Sequence, residues 1–446
     1  MYLAASVQLT QYNKDNVNLE VLRKLAYHNA RMYNVGLYNV RQHFFDTGQY
    51  LNYNGDWNIA KNNENYKLLM TDISQQTLRL VDRDMKSFFR LLAAKRNGKY
   101  SFPVKLPHYK DKEGMMPFAV QGRSCRIHEN GTVTIGLTRE FREMYGFEEK
   151  KITLTIPKNI SDVQEFHEMR FIPMYGGAEF KAEFVYSSEY QKEREKVNEK
   201  AEGYMSIDLG VNNLMACTLF SNSDARQFLI DGKRIKAINH YYKKTKARLQ
   251  GEYAKNKSIK GMDTKRFRGL SKSRLNKIDD YFNRCVDMVI RTCLDNGVRT
   301  VVIGYNEGQK QNISIGHVNN QTFVSIPHHK LRQKLRYKCE LSGIECVFQE
   351  ESYTSKASCL DLDAIPVYGE DGADKVEFSG KRHPRGLYKS KSGMVINSDI
   401  NGSVNILRKY LLKRNGKDIS SDLLRGLVNG PCQRLRVFAQ AAKSLA

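Results

Sequence analysis

The sequence predicts a multidomain chain of mixed class, an α+β half followed by an α/β half. Two features carry that reading. Up to about residue 186, short alternating apolar stretches bracket a long segment with helical spacing. From residue 204 a different rhythm begins, in which apolar strands precede and then alternate with amphipathic helices. The 446 residues leave room for two to four domains of about 100–200 residues each.

In chain order, residues 2–10 read as a strand. Leu19, Leu22, Leu25, Ala26 and Tyr33 recur at helical spacing over about 18–45, and a second helical region runs from about 66 to 92. Residues 131–136, 151–156 and 178–185 read as strands separated by turn signals. The expected organisation is a split β-domain, 1–15 and 100–186, interrupted by a helical insertion, 16–99. Residues 187–203, dense in Glu and Lys, read as a solvated linker. Beyond it, 204–210, 214–220 and 227–230 are three strands, followed by two helical stretches. In the second of these, Ile278, Phe282, Cys285, Val289 and Cys293 form a core-facing stripe. Residues 300–304 are a buried-type strand, 326–342 a helix and 344–348 another strand. That order of elements matches a ribonuclease H-like topology. The tail from about Lys413 onward, mixed and punctuated by Gly and Ser, is expected to be partly mobile.

Three acids stand out against this frame. Asp208 lies in an apolar strand, Glu307 follows one, and Asp399 begins a helix marked by Ile400, Val404, Leu407 and Leu411. An acid in or beside an apolar strand is costly unless it is paired or binds a cation. If the two strands are sheet neighbours and the helix crosses them, the carboxylates converge at one edge, an arrangement that holds two hard divalent cations. Gly210 permits a tight turn directly after Asp208.

Composition narrows the partners. With 72 Lys+Arg against 48 Asp+Glu, the net charge is +24, which calls for a polyanion. No apolar run approaches the ~18 residues of a membrane span and the N-terminus has no secretory pattern, so a soluble, untargeted protein with no membrane partner is expected. Eight scattered cysteines with no Cys-x-x-Cys pair fit free thiols in a reducing cytosol. Residues 233–277 hold 16 Lys+Arg against Glu252 and Asp263. A charge run is commonly just a solvated helix face, but an excess this large favours a phosphate track, with Lys243, Lys244, Lys246, Arg248, Lys265, Arg266, Arg268, Lys272, Arg274 and Lys277 as candidate nucleic-acid contacts. Residues 107–110, after Lys105, offer a second such patch.

Four segments carry a family resemblance: 207–214 (IDLGVNNL), Glu307 after its strand, 351–356 (ESYTSK) and 397–408 (NSDINGSVNILR). They resemble the RuvC-type nuclease of the transposon-encoded TnpB family, RNA-guided DNA endonucleases related to compact type V CRISPR effectors. The resemblance implies that the split β-domain is a barrel-like wedge domain, that 16–99 is a recognition lobe, and that 204–352 with 393–412 forms the RuvC nuclease domain. It implies Asp208, Glu307 and Asp399 as a catalytic triad binding two Mg²⁺ (or Mn²⁺) ions, and guide RNA and target double-stranded DNA as partners, in a bacterial-type cytoplasm and acting at the nucleoid. In its place within this pattern, 353–392 would be a target nucleic-acid-binding insert, and 413–446 a C-terminal tail. Family members commonly carry two Cys-x-x-Cys pairs in that insert. Here residues 353–398 offer only Cys359 and His383, so no zinc is expected, and the insert should be held by a small core of Ile365, Val367, Tyr368 and Leu387. With eight acids against Lys356 and Lys375 over 350–377, it is also acidic.

The function expected is RNA-guided, Mg²⁺-dependent DNA cleavage with recognition of a short flanking motif. The alternatives are a compact type V effector using a CRISPR RNA, a nuclease-inactive RNA-guided repressor, and a guide-free recombinase or junction resolvase.

Overall fold

The computed structural model describes residues 2–157, 165–187, 197–198, 200–221, 224–255, 264–306, 325–370 and 372–435. The chain divides into two units, Met1–Lys192 and Glu193–Ala446.

In the first unit, β1 (Tyr2–Leu9) pairs antiparallel with β7 (Glu179–Ser187), Ala5 opposite Phe184. β6 (Glu165–Met174) and β2 (Phe118–Gln121) complete a sheet of order β1-β7-β6-β2. A smaller sheet joins β3 (Cys125–Ile127), β4 (Thr132–Gly136) and β5 (Lys151–Thr155). The first strand thus pairs with the last, which makes the intervening helices an insertion. Those helices are α1 (Leu19–Thr47), α2 (Tyr53–Ala60), α3 (Glu64–Leu68) and α4 (Thr71–Arg96). α1 starts where the Asn18 side chain accepts from the Glu20 amide and stops at Gly48, whose φ of 70° only glycine adopts at little cost. The helical region expected over 66–92 is two helices, because Leu69 and Met70 turn extended and α4 begins afresh at Thr71. Leu22 and Leu25 of α1 share one apolar core with Phe118, Phe171 and Phe184 of the sheet. A short helix, α5 (Arg139–Tyr145), follows β4. The loop at 107–110 is fastened to α1: Asn34 exchanges hydrogen bonds with the Lys110 backbone at 2.7 and 2.9 Å, and Arg41 stacks over Tyr109.

The second unit is built on a six-stranded sheet. β8 (Gly203–Asp208), β9 (Asn213–Phe220) and β10 (Ala225–Asp231) form an antiparallel meander. β11 (Val298–Tyr305) adds parallel to β8, and β12 (Glu345–Glu350) parallel to β11. Between β10 and β11 run two long helices, α6 (Lys233–Lys255) and α7 (Lys265–Asp295), whose Ile278, Phe282, Cys285, Val289 and Cys293 are buried in the sheet's core. α8 (His328–Leu341) links β11 to β12. A three-stranded sheet follows, β13 (Lys381–His383), β14 (Leu387–Lys389) and β15 (Val395–Asn397), and then α9 (Ser398–Asn415). The segment from Lys413, expected to be a partly mobile tail, forms α10 (Ser421–Asn429) and β16 (Cys432–Leu435) among its described residues, and 436–446 lie outside them. Leu424 and Leu427 bury the helix against the core, and β16 pairs parallel with β10 to give the order β12-β11-β8-β9-β10-β16. The signal was an amphipathic turn capped by Ser420, too short to stand out from the Gly/Ser background.

Candidate functional site

Three parallel strands, β8, β11 and β12, end side by side. Ile303 stands opposite Ile207 and Tyr305 opposite Glu350, so the chain leaves the sheet at Asp208, at Asn306 and at Glu351 along one edge. α9 crosses that edge with Asp399 in its first turn, capped by the Asn397 side chain, which accepts from the Asp399 and Ile400 amides. It lies unusually close to β8. Gly402 faces Asp208 so directly that a Cβ there would sit 2.7 Å from Asp208 Oδ2. Beside it, the Ser403, Ser206 and Thr218 hydroxyls form a buried triangle with edges of 2.5–3.1 Å, and Ser403 Oγ donates to the Ser206 carbonyl at 2.9 Å. Small and hydroxylic residues here replace an apolar interface, so the helix can carry its acid to within reach of another acid.

The structure brings Asp208 and Asp399 together, and it adds Glu351. Burial first, then the negative charges of Glu351 and Asp399, hold the Asp208 carboxyl well above the usual carboxylate range, while Arg382 on β13 pulls it down. Glu351 packs over Gly304, where any Cβ would overlap its Oε2. Asp399 Oδ2 accepts from Asn213 Nδ2 at 2.8 Å. Glu307 lies outside the described residues. Glu351, Arg382 and Asn213 were missed as site residues, although the first was legible: Glu351 follows an apolar strand just as Glu307 does.

The donor set suits a hard divalent cation. It consists only of oxygens, and its mutual repulsion is relieved by positive charge placed among them. Among the described residues, no three His, Cys, Asp or Glu side chains close around a single point to hold one ion.

A second set of contacts joins α9 to the 350–366 segment. Asn401 Nδ2 donates to the Ala357 carbonyl (2.8 Å) and its Oδ1 accepts from the Cys359 amide (3.0 Å). Asn405 Nδ2 donates to the Thr354 and Ala357 carbonyls at 2.9 and 2.7 Å. Arg408, 1% exposed, donates to the Asp363 carbonyl and makes a forked ion pair with Asp418 at 2.7–3.1 Å. Lys409 reaches Glu350 Oε2 and the Pro366 carbonyl. Spacing of i, i+4, i+7 and i+8 puts these four on one face of the helix. The expected core of the insert is not formed: Tyr368 is 78% exposed, and Ile365, Val367 and Leu387 are only half-buried. Cys359 and Tyr388 instead join the apolar cluster around α9, because an acidic segment of this composition has too little apolar surface to build a core of its own.

Of the candidate phosphate contacts, Lys243, Lys244 and Arg248 on α6 and Lys265, Arg266 and Lys277 on α7 are exposed, and Lys246, Arg268, Lys272 and Arg274 are half-buried. Arg248 and Arg266 both pair with Glu252, and Arg274 is engaged internally with Asn239 Oδ1 (2.7 Å) and the Ser325 carbonyl (2.9 Å).

The sheet, the crossing helix and the carboxylates at their junction define a class that comparison with known proteins narrows. The family described as "Probable transposase" (OrfB of IS605) matches residues 184–310, and the Cas12f1-like TNB domain matches 328–406. A TnpB-like protein of Acidianus two-tailed virus is 26% identical over 413 residues, 87% of this chain and 83% of the relative. A solved Cas12f1–sgRNA–target DNA complex matches at a TM-score of 0.50 and 15% identity, covering 87% of this chain and 82% of that one, which places the two in the same mixed α/β multidomain fold. Over these spans the chain is similar to TnpB-like proteins and to Cas12f1. Among the described residues no helix is long and apolar enough to cross a membrane.

Proposed function

We propose that the protein is an RNA-guided DNA endonuclease of the RuvC type. The observation that carries this reading is that Asp208 feels the negative charges of Glu351 and Asp399 near the common end of three parallel strands, in a chain similar to TnpB-like proteins. The sheet, an antiparallel meander continued by two parallel strands, has the ribonuclease H-like order. The strands of the first unit serve as the wedge and its helices as the recognition lobe, and the basic α6 and α7 faces as a phosphate track.

Asp208 and Asp399 would hold the divalent cations, with Glu351 or Glu307 completing the set. When bound, such cations activate water and stabilise the leaving oxygen of a phosphodiester. Asn213 orients Asp399, and Gly402 and Gly304 make space for the carboxylates of Asp208 and Glu351. Arg382 offers positive charge beside Asp208, where a scissile phosphate would need it.

Asp208→Ala should abolish cleavage of a matched target plasmid while co-purified guide RNA stays bound; undiminished cutting would overturn the assignment. Glu351→Gln and Glu307→Gln, assayed side by side, identify the third carboxylate as the one whose loss costs more rate.

A further inference from the structure

α6 and α7 enclose a cleft of about 240 Å³ that the carboxylate centre does not use. Half-buried Ile238 and Leu270 line it, with Tyr241, Arg274 and Lys277 beside them. Tyr241 is 62% exposed, with Lys277 Nζ 6.0 Å from its ring centre. Arg274 is fixed by its bonds to Asn239 and Ser325 and lies over the neighbouring Tyr242 ring at 5.0 Å. An open aromatic face beside apolar side chains, framed by fixed and flexible cations, is complementary to a flat base followed by phosphates.

The cleft also has a place along the route to the acids. Lys236, five residues before Tyr241 and so about 7.5 Å back along the helix axis, bonds the Asn212 side chain. The next residue, Asn213, donates to Asp399. Residues five apart on a helix project about 140° apart, so a strand leaving the carboxylate centre past Lys236 reaches Tyr241 by crossing over α6 rather than by running along one face.

We propose that the Tyr241 cleft is a stacking site for an unpaired base of the DNA strand entering the carboxylate centre. The proposal rests on the nuclease reading above. Base–aromatic stacking is sequence-tolerant and non-ionic, so it leaves a signature distinct from that of the surrounding lysines.

The test uses the full-length protein without divalent cations, so that nothing is cut, and single-stranded DNA carrying 2-aminopurine. Tyr241→Ala should weaken binding by about five- to a hundredfold, abolish the fluorescence quenching and leave the salt dependence unchanged. Tyr241→Phe should retain both affinity and quenching. Lys277→Gln should instead reduce the slope of log affinity against log salt by about one. Wild-type binding and quenching by Tyr241→Ala, or equal damage from Tyr241→Ala and Tyr241→Phe, would overturn the stacking site while leaving the nuclease reading intact. A guide-loaded wild-type protein that neither binds nor, with divalent cations restored, cuts matched target DNA would overturn both.

Discussion

Gly402→Ala is the most direct probe of the geometry on which the catalytic proposal depends. The new methyl carbon would sit 2.7 Å from Asp208 Oδ2, and reaching ordinary contact near 3.5 Å requires a separation of roughly 0.8 Å. The helix cannot easily retreat, because Ser403 is bonded to Ser206 and Thr218 and Ile400, Val404 and Leu407 are fully buried. Most of the displacement should therefore fall on the Asp208 carboxylate. A misplacement of about 1 Å costs on the order of a hundredfold in rate, so single-turnover cleavage by the RNA-loaded variant should fall by about ten- to a hundredfold. Stability should change little, since alanine gains about 1 kcal/mol over glycine in a helix interior and overpacking costs about 1–3 kcal/mol. Circular dichroism checks the fold and gel-resolved cleavage the rate. A folded variant that cuts within about twofold of wild type would refute the placement of Asp208 against α9 as rate-determining.

Three further outcomes are expected. Burial, opposed by the Asn39 hydrogen bond and reinforced by Asp82, raises the Asp56 carboxyl from 3.8 to about 7, and its Oδ2 has no hydrogen-bond partner among the described residues. The neutral form is thus favoured in the folded state: stability is full below pH 4 and is lost as pH rises toward 7, by on the order of 4 kcal/mol at about 1.4 per unit. Asp56→Asn should match wild type in acid and be the more stable at pH 8, as read by unfolding followed through Trp57, the chain's single tryptophan and Asp56's neighbour; a pH-independent difference would exclude this cause. Asp418→Ala leaves the buried Arg408 without its counter-charge and should cost about 3–5 kcal/mol in urea unfolding. Gly304→Ala should displace Glu351 and slow cleavage without lowering guide RNA retention, as measured by the RNA that co-purifies.

Much of the architecture was legible because strand and helix periodicities were clean: the buried stripe of α7 and the apolar runs of β8 and β11 read directly as elements. Asp208 stood out in the sequence as an acid within an apolar strand and Asp399 as the acid that begins a helix. What escaped has a common cause. The polar face of α9, Asn401, Asn405, Arg408 and Lys409, bonds backbone carbonyls, a carboxylate and an amide of a distant segment, and such partners leave no periodic mark of their own in a sequence. The same bonds replace the apolar core expected for the insert. Glu351 is the exception: it follows an apolar strand just as Glu307 does, and was legible on that ground. β16 is four residues long and pairs with a strand some two hundred positions earlier, so nothing local announces it.

The helix that closes over β8 also sets an order of events. Asp208 leaves the ribosome about 190 residues ahead of Asp399, and the hydroxyl triangle that clamps their elements together needs both Ser206 and Ser403. Through most of its synthesis the chain therefore carries an unfinished centre. Its acids are brought into register only when α9 arrives to dock, so a ribosome stalled before that point displays the basic α6 and α7 faces beside a carboxylate centre that is still incomplete.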